Sequence, residues 1–155
     1  MYVLHKKLWP GKGTVITKSY MILYSVHDKH EFRTGFYISR HIMDNLLDFA
    51  PVSERICKTK VKLTYYNLTL ISAHAPTEEK VEVVKEEFYS SLEKVCVAVP
   101  NDDMKTLLGD FSAKDGKESY LYPACGGHSV HNKTNNNGKL MINSALERDV
   151  PVTGI

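Results

Sequence analysis

Gly109-Asp110-Phe111-Ser112 is the most pointed chemical feature of the 155-residue sequence. It follows the short apolar run Met104-Lys105-Thr106-Leu107-Leu108, so it sets a carboxylate where a buried strand would end. α/β proteins gather their ligands at such strand ends. A carboxylate there can hold a divalent cation or orient a nucleophile. Gly109 would allow a close backbone approach and Phe111 would anchor the turn in the core. An Asp after a strand also serves as a plain turn or capping residue.

His74 ends a second apolar run inside Ser72-Ala73-His74-Ala75-Pro76-Thr77. If the two runs are neighbouring strands, His74 and Asp110 emerge on one rim, as a proton donor and a phosphate contact would have to. A hydrogen-bonded structural histidine is the plainer alternative. His27 with His30, and His128 with His131, have a spacing a metal could use, but neither pair has cysteine or carboxylate partners to complete a zinc site. We read them as surface histidines. Cys57, Cys96 and Cys125 are widely spaced and suggest neither a metal knuckle nor a disulfide framework.

The elements that must position these residues follow from the pattern. Met1 to Gly13 reads as an irregular opening, with the turn-forming Trp9-Pro10-Gly11-Lys12-Gly13 as a loop. Thr14 to Val26 is dense in Val, Ile, Tyr and Thr and predicts one or two strands, then a polar turn over His27 to Glu31. Phe36-Tyr37-Ile38 predicts another. Ile56, Val61 and Leu63 among alternating lysines, and the apolar run Asn67 to Ala73, predict two strands joined through Thr64-Tyr65-Tyr66 as an antiparallel hairpin.

A helix is predicted from Thr77, with Val81, Val84, Phe88, Leu92, Val95 and Val99 on its apolar face and Pro100 as its stop. A second is predicted from Gly138 to about Glu147, behind the Asn-rich cap Asn135 to Asn137. Alternating strands and helices make an α/β sandwich the expected fold.

Composition sets the frame. Hydrophobic residues make up 43% and charged residues 25%, the balance of a packed globular chain, and the length fits one domain over residues 1–155. Net charge is only +2. Residues 1–66 hold eleven Lys and Arg against five Asp and Glu, whereas residues 67–155 hold nine against thirteen, so a backbone-binding surface is more readily built from the front half. Solvated lysines on strand faces would give the same count. No leader pattern and no apolar stretch of membrane-spanning length occurs, which suggests an intracellular chain, nuclear or cytoplasmic, with no membrane partner.

Several blocks in order carry a resemblance. Asp28 to Phe36, Ser53-Glu54-Arg55-Ile56-Cys57, Ser72 to Thr77, Lys85-Glu86-Glu87-Phe88-Tyr89, Gly109 to Lys114, Gly127-His128-Ser129 and Asn137-Gly138 together resemble the endonuclease domain of non-LTR retrotransposons. That domain belongs to the endonuclease/exonuclease/phosphatase superfamily, and proteins similar to craniofacial development protein 2 carry a related one. The resemblance covers about residues 5–149 and implies a four-layered α/β sandwich, here incomplete at both ends. It also implies Mg²⁺-dependent hydrolysis of phosphodiester bonds, commonly in DNA. Asp110 matches the Asp that orients the nucleophile, and His74 falls where relatives place a Tyr or His near the scissile phosphate.

The departures are as informative. His5 and Lys6 stand where relatives have Gln-Glu, so a cation replaces the metal-binding carboxylate. Ser112 replaces the Asn of the Gly-Asp-Phe-Asn block and can offer only a hydroxyl. The first strand with its active-site Asn, and the late Asp and His, have no counterpart. Catalytic groups that act as a unit fail together, so the expected function is a catalytically impaired remnant of a retrotransposon endonuclease. Alternatives are a binding module for nucleic acid or protein, or a fragment of an active enzyme from a truncated gene model. DNA, weakly held, is the expected partner, with self-association through exposed sheet edges.

Overall fold

A computed structural model of the chain describes residues 2–4, 13–26, 33–114 and 133–146. The described residues form two four-stranded sheets and three helices, a mixed α/β fold as expected from the sequence. Their contacts divide the chain into two compact units, Met1–His74 with Lys94–Gly109, and Ala75–Glu93 with Asp110–Ile155.

The first unit is built on strand alternation. Strands β1 (Tyr2–Leu4), β2 (Gly13–Ile16), β3 (Tyr20–Val26) and β4 (Arg33–Ser39) make one antiparallel sheet in the order β1-β4-β3-β2. The first helical turn, α1 (Arg40–Met43), leads into β5 (Leu46–Pro51), β6 (Ile56–Lys62) and β7 (Asn67–His74), and the second sheet has the order β5-β6-β7-β8, closed by β8 (Met104–Asp110). Along β6 the residues Cys57, Thr59 and Val61 are buried while Lys58 and Lys60 are half buried and Lys62 is exposed, the period of two that the sequence displays. β6 and β7 pair antiparallel, with Lys62 opposite Asn67 across the hairpin.

The core of this unit lies between the two sheets. Leu23, Phe36 and Ile38 from one meet Cys57 and Leu70 from the other, with Met21, Phe49 and Leu108 packed around them. Within this apolar layer Thr34 and Ser72 share a hydrogen bond between hydroxyls, and the Cys57 thiol reaches Thr34. Pairing these groups with one another avoids the cost of unsatisfied buried polar atoms. Burial pushes the Cys57 thiol up to about 12, so it is an inert packing group. Cys57 and Cys96 are both free thiols.

β7 is buried on both faces over Thr69–Ala73, as befits an inner strand. Its contacts with the β8 segment advance together along both chains, from Asn67 and Thr69 beside Asp103 to Ala73 beside Gly109, so the two run parallel. The connection between them carries α2 (Glu82–Val97), the crossover a parallel pair requires.

Several boundaries differ from expectation. Tyr2–Leu4 is a short strand and not part of a loop, and β5 and α1 carried no signal that predicted them. α2 starts at Glu82, not Thr77, and Val81 and Val84 are 67% and 37% exposed, whereas Phe88, Leu92, Val95 and Val99 are buried as predicted. The cause is Glu78, whose carboxylate serves another helix and leaves Thr77–Lys80 as a turn. β8 is not a buried strand: it lies at the sheet edge and is half exposed, and Phe111 is only partly buried.

The last helix, α3 (Asn136–Leu146), begins behind Asn135 as the Asn-rich cap predicts. The turn at His27–Glu31, both histidine pairs, Cys125, the block Gly127–Ser129 and the substituted His5 and Lys6 lie outside the described residues. No described helix is long and apolar enough to cross a membrane.

Candidate functional site

In the first unit, His74 is the last residue of β7. The strand stops there because Pro76 cannot continue a ladder that needs an amide hydrogen. The His74 amide donates to the Arg55 carbonyl at 2.9 Å, and Arg55 Nη1 donates back to the His74 carbonyl at 3.3 Å. His74 is half buried, with Nδ1 enclosed by protein. Arg55 was not singled out by sequence reasoning beyond its place in the Ser53–Cys57 block, since an arginine beside a strand carries no distinctive spacing.

Gly109, also in this unit, shows why glycine precedes the carboxylate. A Cβ at this position would stand 1.8 Å from the Ala73 carbonyl oxygen, and φ is +156°. Only glycine lets the two strands approach this closely.

In the second unit, Asp110 is exposed at the end of β8, and its carbonyl accepts the Ala75 amide at 2.8 Å. Its Oδ1 accepts the Ser112 amide at 2.9 Å, closing a tight turn. Two of the candidate residues, Asp110 and Ser112, are thereby brought together. Ser112 has φ +47°, the left-handed region that Asn and Gly tolerate better than other residues.

The loop after Asp110 is clamped by α3. Asn135 Nδ2 donates to the Ser112 carbonyl at 2.9 Å, while Asn135 Oδ1 accepts the amides of Lys114 at 2.9 Å and Gly138 at 2.8 Å. The last of these bonds is the helix cap. A Cβ on Gly138 would lie 2.2 Å from the Lys114 carbonyl oxygen, so glycine is needed there as well.

Glu78 completes the arrangement. Its two carboxylate oxygens each accept one amide of the first turn of α3, Asn136 and Asn137, both at 3.2 Å, and Lys85 Nζ reaches Oε1 at the same distance. Burial pushes the Glu78 carboxyl up, but the Asn137 amide, Lys85 and the Asn136 amide outweigh it and hold it below the usual range. The fully buried Asn137 donates Nδ2 to the Pro76 carbonyl at 2.8 Å, and its own carbonyl accepts the Tyr89 hydroxyl at 3.1 Å. The sequence marked Asn137 as a cap neighbour; its role as the hub of a buried network depends on partners 48 and 61 residues away.

Among the described residues no three His, Cys, Asp or Glu side chains come together as a set that could hold a metal ion. Asp110 Oδ1 is already engaged by the Ser112 amide.

No protein-family model matches the chain, and no curated protein matches it. Among solved structures the chain is similar to the endonuclease domain of TRAS1, a telomere-specific non-LTR retrotransposon. The TM-score is 0.52 and the sequence identity 13%, over 81% of this chain and 52% of that one. The chain thus spans about half the length of that domain. At this identity the likeness is one of architecture: the chain has the α/β fold of a non-LTR retrotransposon endonuclease domain.

Proposed function

We propose that the chain is a remnant of a phosphodiester-cleaving endonuclease domain of retrotransposon origin, with little or no turnover. The observation that carries this reading is the Gly109-Asp110 turn. Glycine is forced at 109 by the Ala73 carbonyl, and the carboxylate that follows stands at a strand end in a fold similar to that of a retrotransposon endonuclease domain.

In this reading Asp110 is the group that would orient an attacking water, and His74 is a contact for the phosphate. Ser112 supports Asp110 through its amide, and its hydroxyl takes the place of a side-chain amide. Mg²⁺ would stabilise charge on the phosphate in a complete site, but Lys6 stands where the resemblance places a metal-binding carboxylate and Ser112 where it places an amide, so turnover is expected to be lost rather than trimmed. DNA is the proposed partner, held weakly through its phosphates, with self-association through sheet edges such as β8 as a second consequence.

Nicking of supercoiled plasmid with Mg²⁺ tests the reading. Conversion no faster than that of Asp110→Ala is expected. Efficient multiple turnover that Asp110→Ala abolishes would overturn the claim of impairment.

A further inference from the structure

Among the described strands, β1 and β2 border one sheet and β5 and β8 the other. A bordering strand carries amides and carbonyls that a further strand could use. Proteins guard such edges by keeping them short, or with bulges, proline or charge. β1 and β2 have only 3 and 4 residues. β5 has 6, but a register shift between Leu46 and Asp48 breaks its line and Pro51 closes it. β8 has 7 residues, with no proline and no described strand on its far side.

Charge guards β8 little. Thr106 to Gly109 is uncharged, and the lysine of the strand, Lys105, donates to the Cys96 carbonyl at 3.4 Å. Met104 is 53% exposed, and Leu107 and Leu108 are only half buried although both are apolar. Leu108 packs against the apolar layer between the sheets.

We infer that β8 is the edge through which two copies of the chain pair, antiparallel about a two-fold axis normal to the sheet. The strand is complementary to itself in that direction. Lys105 stands near one end of β8 and Asp110 at the other, so antiparallel pairing brings opposite charges together at each end. Parallel pairing would set Lys105 beside Lys105 and Asp110 beside Asp110. The same axis keeps equivalent sheet faces on one side, so Leu108 of both copies extends one apolar layer. A strand edge about 23 Å long is a small interface, so a dimer of micromolar affinity is expected. The inference rests on the self-association proposed above and narrows it to one edge and one direction.

Sedimentation velocity across the micromolar range tests it. Thr106→Lys places like charges close together near the strand centre, and Leu47→Lys on the β5 edge is the control. Wild type and Leu47→Lys should dimerise alike, and Thr106→Lys about tenfold more weakly. A dimer that Thr106→Lys leaves intact, or that Leu47→Lys abolishes, would overturn the assignment to β8 and leave self-association standing. A wild type that stays monomeric throughout would sink both. Should Thr106→Lys fail to fold, amide exchange in the wild type decides: Thr106, Leu107 and Leu108 should exchange more slowly as concentration rises, and β2 and β5 should not change. Exchange along β8 that ignores concentration would overturn the inference. Isotope-filtered NOEs between labelled and unlabelled copies read the direction. Contacts from the Lys105 end of one copy to the Asp110 end of the other are expected, and contacts between the two Lys105 backbones would contradict antiparallel pairing.

Discussion

Each of the two units is stabilised by a different kind of contact. The first is a sandwich in which Phe36, Ile38, Cys57 and Leu70 fill the space between two sheets, and its buried acid Asp103 is fully engaged. Lys60 reaches Asp103 at 2.8 Å, with Thr69 at 2.9 Å and Asn67 at 3.3 Å. The second is tied by polar contacts between distant segments: Glu78 to the start of α3, Asn137 to Pro76 and Tyr89, and Asn135 to the loop after Asp110. An apolar layer tolerates small changes of shape, whereas a hydrogen-bonded hub loses its function with any one partner. The segment that bears Asp110 and Ser112 lies in the unit tied by polar contacts.

The largest effect is expected in the first unit at Gly109→Ala. A Cβ 1.8 Å from a backbone oxygen cannot be relieved by a side-chain movement, so a loss of about 3 kcal/mol or more, or failure to fold, should appear in chemical denaturation. Phe36→Ala comes next, at about 3–5 kcal/mol, because the site is fully buried between the sheets.

In the second unit Asn137→Ala removes a buried donor and strands the Pro76 carbonyl. About 1–3 kcal/mol should be lost, with faster proteolysis near α3 as a local readout. Glu78→Gln should cost about 1 kcal/mol, since a carboxylate 43% exposed is partly screened by water.

Acid titration sharpens the same contrast. Lys60, with Thr69 and Asn67, holds the Asp103 carboxyl below its usual value, and Glu78 is also depressed. For both groups the stabilisation is complete above the ordinary unfolded values, 3.8 for Asp and 4.5 for Glu, and is lost as pH falls through the folded values. Thermal melts should therefore drop below about pH 4.5, less steeply in Glu78→Gln and in Asp103→Asn. Equal slopes in wild type and both variants would contradict this assignment.

The smallest effect runs in the opposite direction. Ser112 sits at φ +47°, so Ser112→Asn should stabilise by about 0.5–1 kcal/mol, read as a small rise in melting temperature.

This contrast also governs how much could be read from sequence. The alternation of Lys58, Lys60 and Lys62 with buried Cys57, Thr59 and Val61 is local, so β6, β7 and their hairpin were legible. β5 was not, because Leu46–Pro51 is an edge strand with a bulge, an exposed Leu47 and no alternation. The start of α2 was misplaced for a different reason: Glu78 looks like a first-turn acid until its partners 58 and 59 residues away are known. Asn135 as a cap was legible from local spacing, and the network around Asn137 was not. Gly109-Asp110 was visible as a motif, while the bond from Arg55 to the His74 carbonyl arises only when two strands lie side by side.

The central claim of the proposed function is that Asp110 stands at the end of β8 with no set of three metal donors around it among the described residues. Titration of the isotope-labelled chain with Mg²⁺, followed by NMR, tests it most directly. The account predicts no saturable change at Asp110 and Ser112 through the millimolar range. Saturable perturbation of both residues that disappears in Asp110→Ala would contradict it.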